Sequence, residues 1–393
     1  MKTKTSLTTF YATVTLFTAL DMAMVIAMVW YGLKVTGSAV LLGTTLCVAT
    51  LVPYIVERVM ARFGRVTLSM RRLVLTRLII FAAVGLLSLT SVIQVPVGFL
   101  LIAFLVGMTD YFTISTLEAS NTKLVLAGKL SSDASSRLMQ TSIQIGAFGG
   151  ALLGGVVVDA FSLTAVLQGI SLVAIGSLAL AFVLDEHQQP EEGDSVSVES
   201  RPARQAIPGK IVMLIVALGM IGFHIGAFNS LVPIVFQQLN SWSAAQFGIA
   251  SGLAGLGAFS AAVLTRVRLP YLLCLAFIVA ADALIVFAQS TVLIGIATFG
   301  LGFSINYLRI ALRKHLIEAA ADSATADTFA SQSAFVYLML SGSAPMLLTL
   351  LASASVFGLD AARPLMICAA LLLGLAALGW QLASSRSPSV ATE

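Results

Sequence analysis

The chain has 393 residues, 58% of them hydrophobic and only 10% charged, with a mean hydropathy of +0.99. Soluble domains carry about 25% charged residues, so this composition excludes a soluble globular protein and predicts an all-α integral membrane protein. The formal net charge of +4 needs no partner beyond anionic lipid headgroups, and nothing in it asks for nucleic acid.

A membrane-crossing helix needs about 20 apolar residues. The apolar runs predict twelve, at 9–32, 39–57, 74–93, 96–117, 139–160 and 163–184, then at 211–236, 244–265, 269–288, 291–311, 329–353 and 362–383. The start, "MKTKTSLTTF", is basic, but the run after it is too long for a signal-peptide core and no small-residue cleavage site ends it, so it is read as a retained first span. Between the halves, "DEHQQPEEGDSVSVESRPARQAIPGK" carries mixed charge, three prolines and no apolar period, which predicts a flexible linker. The expected units are therefore a six-helix bundle at 1–184, a linker at 185–210, a second bundle at 211–384 and a tail at 385–393.

With the N-terminus in the cytoplasm, twenty of the 22 lysines and arginines fall on the cytoplasmic side, leaving only Lys34 and Arg363 opposite. The positive-inside rule then puts both termini in the cytoplasm.

Span one holds Asp21 within "FTALDMAMVIAMVW". An ionised Asp at mid-bilayer costs about 2.5–3.5 kcal/mol, so it pairs with a cation or takes up a proton. A helical projection sets Thr18, Met24 and Met28 beside it, a surface suited to a cavity for bulky, partly apolar solutes. A hydrogen bond to a neighbouring helix is the plainer alternative. Asp110 raises the same question in span four. Arg77 in span three and Glu57 at the end of span two are expected to pair at a cytoplasmic gate.

In the second half, His224 at mid-span seven is either a cavity group, a proton relay or a substrate contact, or a neutral histidine bonded to a carbonyl. Asp282 in span nine is read as structural. Asn306, Arg309 and Arg313 form a ladder along span ten that would attract an anion, because an arginine fork bonds two oxygens at once. Arginines near a helix end also snorkel to headgroups. Pro345 in span eleven suggests a bending gate helix or a packing kink.

Two motifs carry a family resemblance. "ERVMARFGR" resembles the G-x-x-x-D-R-x-G-R that many members of the major facilitator superfamily carry between spans two and three. It keeps Arg62, Gly64 and Arg65, while Glu57 and Ala61 replace the Gly and the Asp. In span five, Gly146, Gly150, Gly154 and Gly155 are similar to the glycine stripe of the superfamily's exporters, with Ala151 in place of the Pro and Arg137 in place of the first Gly. Such a stripe also serves plain helix packing. "GMTDYFTIS" and "SAAQFGIASGLAGLGA" resemble segments of the enterobactin-exporter group.

The resemblance implies two six-helix halves related by a pseudo-two-fold axis. It also implies a central cavity lined by spans one, four, seven and ten, with Asp21 and Asp110 facing one space. The function it implies is proton-coupled export of a small amphiphilic, anionic, siderophore-like molecule, by a monomer in a bacterial inner membrane. A general multidrug antiporter, an importer and a lipid flippase remain as alternatives. No G-x-x-x-x-G-K-[ST], HExxH or G-x-G-D pattern occurs, so no ATP hydrolysis, metal, cofactor or enzymatic activity is expected. Cys47, Cys274 and Cys368 lie apart in apolar stretches and read as small hydrophobes.

Overall fold

The computed structural model describes residues 2–60, 69–185, 208–264, 269–320 and 323–385. Most of the expected linker, and Arg62, Gly64 and Arg65, lie outside them, as does the side chain of Glu57. Within the described residues the chain is helical, with no strand. The first half contains α1 (Lys2–Thr36), α2 (Ala39–Met60), α3 (Met70–Leu87), α4 (Pro96–Leu126), α5 (Ser132–Ala160) and α6 (Leu163–Asp185). The second contains α7 (Gly209–Pro233), α8 (Ala244–Val263), α9 (Tyr271–Phe287), α10 (Thr291–Glu318), α11 (Ser323–Leu351) and α12 (Ala362–Ser385).

Each predicted span falls on one helix. Among the described residues nine helices are long and apolar enough to cross a membrane. α3 is not among them, having three arginines in its 18 residues. Several helices outrun their predicted bounds, α1, α5 and α11 at their starts among them, while α3 stops at Leu87 rather than 93. At their C-terminal ends α4 reaches Leu126 rather than 117 and α10 reaches Glu318 rather than 311. The added stretches, "EASNTKLVL" and "LRKHLIE", are polar yet contain good helix formers, so the helix propagates beyond its apolar run.

Short turns gather at one end of the molecule. Gly37, at φ +62°, closes α1 there with its N–H on the Leu33 carbonyl. At the same end Ser243 and Gln246 form a capping box that starts α8. This end is called the turn side. The opposite end, where α2, α4, α6, α8 and α10 finish and α3, α5, α7, α9 and α11 begin, is called the linker side.

The helix pairings repeat between the halves. α1 packs on α5 as α7 packs on α11, α2 on α4 as α8 on α10, and α3 on α6 as α9 on α12. The seam between halves is made twice, by α5 on α8 and by α11 on α2. Small residues make these approaches possible. A methyl added at Gly150 would lie 2.1 Å from the Ala19 carbonyl oxygen, and one at Gly154 would lie 2.9 Å from the Ala23 Cα. At the seam, Gly155 faces the Ala244 carbonyl and Gly248, while Gly43 faces Pro345 and Thr349. The glycine stripe therefore serves two neighbours: Gly146, Gly150 and Gly154 seat α1, and Gly155 seats the other half.

Candidate functional site

Two cavities lie between the halves. One, of about 510 Å³, is walled mainly by α1, α2 and α4 and lined by Thr18, Asp21, Tyr54, Asp110 and Glu118 among others. The second, of about 310 Å³, is lined by Gln144, Asn229, Asn306 and Arg309 within a largely apolar wall. Met22, Val25, Leu46 and Asn229 line both, so the two chambers share a boundary. We call them the acidic and the arginine chambers.

Asp21 is only 8% exposed and is held by Arg77 of α3. Arg77 Nη2 donates to Asp21 Oδ1 at 2.9 Å and Nη1 to Oδ2 at 2.9 Å. Nη1 also donates to Thr113 Oγ1 at 2.7 Å, so one guanidinium ties α1, α3 and α4 together. Phe17 lies against it, with the ring centroid 4.0 Å from Cζ, and Phe81 follows at 5.1 Å. Of the two resolutions the sequence allows for Asp21, the cation pair is the one formed. Both outer nitrogens of Arg77 are taken up by this pair, and the expected contact with Glu57 falls on a side chain outside the described residues.

Asp110 is exposed in the acidic chamber and makes no hydrogen bond or ion pair among the described residues. The two acids thus share one space, as the resemblance implies, but in different states of pairing. Glu118 joins them one helical stretch nearer the linker side. Glu118 lies just beyond the apolar run of span four, and the continuation of α4 is what brings it into the wall.

Thr18 faces the acidic chamber and donates its hydroxyl to the Val14 carbonyl. Met24 and Met28 do not face either chamber; both are buried in the core. At roughly 100° per residue, the cavity stripe on α1 runs through Thr18, Met22, Val25 and Val29, with Asp21 at its edge. That edge position lets Asp21 meet both the chamber and Arg77.

In the second half Asn306 and Arg309 line the arginine chamber, and Arg313 does not: it is exposed a turn nearer the linker side. Asn306 donates to the Ala258 carbonyl at 2.6 Å, and the Arg309 guanidinium sits 5.0 Å from the Tyr337 ring. His224 is fully buried rather than in a cavity, and its Nε2 lies 2.7 Å from Asp282 Oδ2. Asp282 is equally buried, so the pair holds α7 to α9 inside the second bundle. Pro345 sits at the seam, packed against Gly226 of α7 and facing Gly43 of α2 through its carbonyl.

The turn side is closed between the halves. Asp159 at the end of α5 accepts from the Ala244 and Ala245 backbone N–H groups, each at 2.8 Å, and so caps α8 across the seam. Gln237 donates to the Trp30 carbonyl at 3.0 Å, and the Trp30 and Phe247 rings stack at 5.9 Å. Tyr31 places its hydroxyl on the Val158 and Phe161 carbonyls, fixing α1 to the end of α5. None of this closure stood out in the sequence. Its one signal is an acid at the last turn of a span, next to a connection too short to solvate it freely.

No protein-family model and no curated protein sequence matches the chain. Solved structures do. A bacterial homologue of the human lysosomal transporter Spinster, inward-facing and occupied, aligns with a TM-score of 0.68 at 13% identity, over 98% of this chain and 99% of that one. The twelve helices, their mirrored pairings and this full-length match decide the architecture. The chain has the major facilitator superfamily fold. A bacterial homologue of the iron transporter ferroportin, inward-facing, aligns with a TM-score of 0.68 at 13% identity, over 96% and 98% of the two chains. The nucleoside transporter NupG aligns with a TM-score of 0.65 at 10% identity, over 95% and 99%. Members of the superfamily fold this similar are described as transporters of unlike cargo, so at these identities the likeness fixes the architecture and leaves the cargo to the site.

Proposed function

We propose that the chain is a proton-coupled secondary transporter that exports a small amphiphilic organic molecule, siderophore-like in carrying an anionic group, by alternating access. The observation that carries this reading is the pairing difference in the acidic chamber: Asp21 is forked by Arg77, while Asp110 stands unpaired in the same space. An unpaired carboxylate in a wet cavity exchanges a proton with the side the cavity faces, and Asp110 is the principal proton carrier. Asp21 and Arg77 form the partner charge pair that responds to its state. Arg309 receives the anionic group of the cargo, with Asn306 beside it and Arg313 drawing anions in from the linker side.

The linker side faces the cytoplasm in this reading, supported by the distribution of lysine and arginine. The turn-side closure then belongs to an inward-facing state, in keeping with the inward-facing structures the chain aligns with. Rocking of the halves about the α5–α8 and α2–α11 seams would expose the same chambers to the outside. The protein works as a monomer in the bacterial inner membrane, with Pro345 at a seam that must flex.

The test is a comparison of metabolites inside and outside cells with and without the gene, in iron starvation and in iron repletion. An anionic amphiphile retained inside the deletion strain is the expected result, with iron starvation enlarging the difference for a chelator. Identical pools in both conditions would contradict export of a cell-made cargo and favour the general drug-efflux alternative.

A further inference from the structure

The two chambers differ in sign, and their shared boundary makes that difference a statement about cargo. In the acidic chamber the charge of Arg77 is consumed by Asp21, leaving Asp110 and Glu118 as carboxylates whose side chains make no hydrogen bond among the described residues. In the arginine chamber the only charged lining residue is Arg309, which has no acidic partner among the described residues and is steadied by the Tyr337 ring. Gln144, Asn229 and Asn306 add neutral donors and acceptors there. Met22, Val25, Leu46 and Asn229 line both chambers, and this mostly apolar shared wall is taken as the neck between them.

We infer that the cargo is dipolar: an elongated amphiphile with a cationic nitrogen that sits against Asp110 and Glu118, an anionic group that sits on Arg309, and an apolar middle that crosses the neck. This deepens the transporter reading and rests on it for the word cargo. A molecule bearing only an anion would pair Arg309 and leave two carboxylates unmatched. A molecule bearing only a cation would do the reverse. Each unmatched charge forgoes an attraction that a dipolar cargo makes, so the site favours that cargo over both single-charge types. The apolar neck sets the spacing, since a compact zwitterion would drag one of its charges into it.

The experiment uses the full chain in lipid nanodiscs and three probes with one carbon skeleton: 8-aminooctanoate, octylamine and octanoate. Binding is measured by calorimetry against empty nanodiscs. The expected result is at least roughly tenfold tighter binding of 8-aminooctanoate than of either single-charge probe, the equivalent of about 1.4 kcal/mol. Asp110→Asn combined with Glu118→Gln removes its advantage over octanoate, and Arg309→Gln removes its advantage over octylamine. Equal or tighter binding of a single-charge probe by the unaltered protein, or saturable binding of none of the three, overturns the inference. Failure of the transporter reading looks different. In that case 8-aminooctanoate binds with the expected preference, yet no pH gradient moves it, or any cargo, across proteoliposome membranes.

Discussion

Arg77 and Asp21 meet as a two-pronged ion pair, both contacts 2.9 Å, with the arginine side chain 1% exposed and the aspartate 11%. The pair spans α1 and α3 in the first half, and His224 with Asp282 spans the corresponding α7 and α9 in the second. Each bundle is thus pinned by one buried acid–base contact between its first and third helices, with the acid on the first helix in one half and on the third in the other. The pins differ in surroundings: Asp21 borders a cavity, and Asp282 does not.

Removing one member of the first pin should be expensive. Breaking a buried pair from one side costs about 3–5 kcal/mol, so Arg77→Met should lower the thermal midpoint of the purified protein sharply. Asp21→Asn with Arg77→Met should recover much of the loss, since neither charge is then stranded. A double variant no more stable than Arg77→Met alone would show that the arginine acts through packing on Phe17 and Phe81 rather than through the pair.

The second pin should behave as structure and nothing else. His224→Ala should destabilise the protein by a similar roughly 3–5 kcal/mol and leave the affinity for any cavity ligand within about twofold in the fraction that remains folded. A large change in affinity with unchanged stability would return His224 to the cavity role the sequence suggests.

Asp159 caps α8 across the seam, which makes it a latch on the turn side. Asp159→Ala should weaken the closed arrangement by about 0.5–2 kcal/mol, the usual worth of a cap. That shifts the population of turn-side-open molecules by roughly two- to thirtyfold. Distances between spin labels on α5 and α8 at the turn side read it directly, and an unchanged distribution would contradict the latch.

The glycine stripe gives a paired control on one helix. Gly150→Ala puts a methyl 2.1 Å from a backbone oxygen of α1, whereas Gly149 has open space around its Cα. Overpacking of this kind costs about 1–3 kcal/mol or more, so Gly150→Ala should cut folded yield while Gly149→Ala does not. Equal yields would mean that α1 and α5 can part without loss.

How much of this was legible in the sequence varies with the kind of interaction. The twelve helices were, because lipid forces every spanning backbone to satisfy itself within one apolar run. Asp21 and Asp110 stood out because charges are costly at that depth. Arg77 was visible too, but its partner was not: Asp21 and Arg77 are 56 residues apart, and only the reach of the Arg77 side chain from α3 to α1 brings them together. Glu118 was hidden by a boundary drawn at the end of apolarity rather than at the end of the helix. Met24 and Met28 were placed in the cavity by taking Asp21 as the centre of its stripe, whereas it lies at the edge. Asp159 was unreadable because the groups it binds are backbone N–H donors 85 and 86 residues away, which no side-chain pattern marks.

The central claim is that Asp110 exchanges the proton that drives the cargo, and a comparison of two flux modes tests it most directly. Proteoliposomes carrying the protein are loaded with the metabolite retained by the deletion strain. Flux is then measured under an imposed pH gradient and, separately, as cargo-for-cargo exchange with no gradient. Asp110→Asn should abolish the gradient-driven flux while exchange persists at raised cargo concentration, because a neutral amide cannot carry the proton, whereas Glu118 and Arg309 still hold the cargo, more weakly. Gradient-driven flux surviving intact in Asp110→Asn would contradict the account.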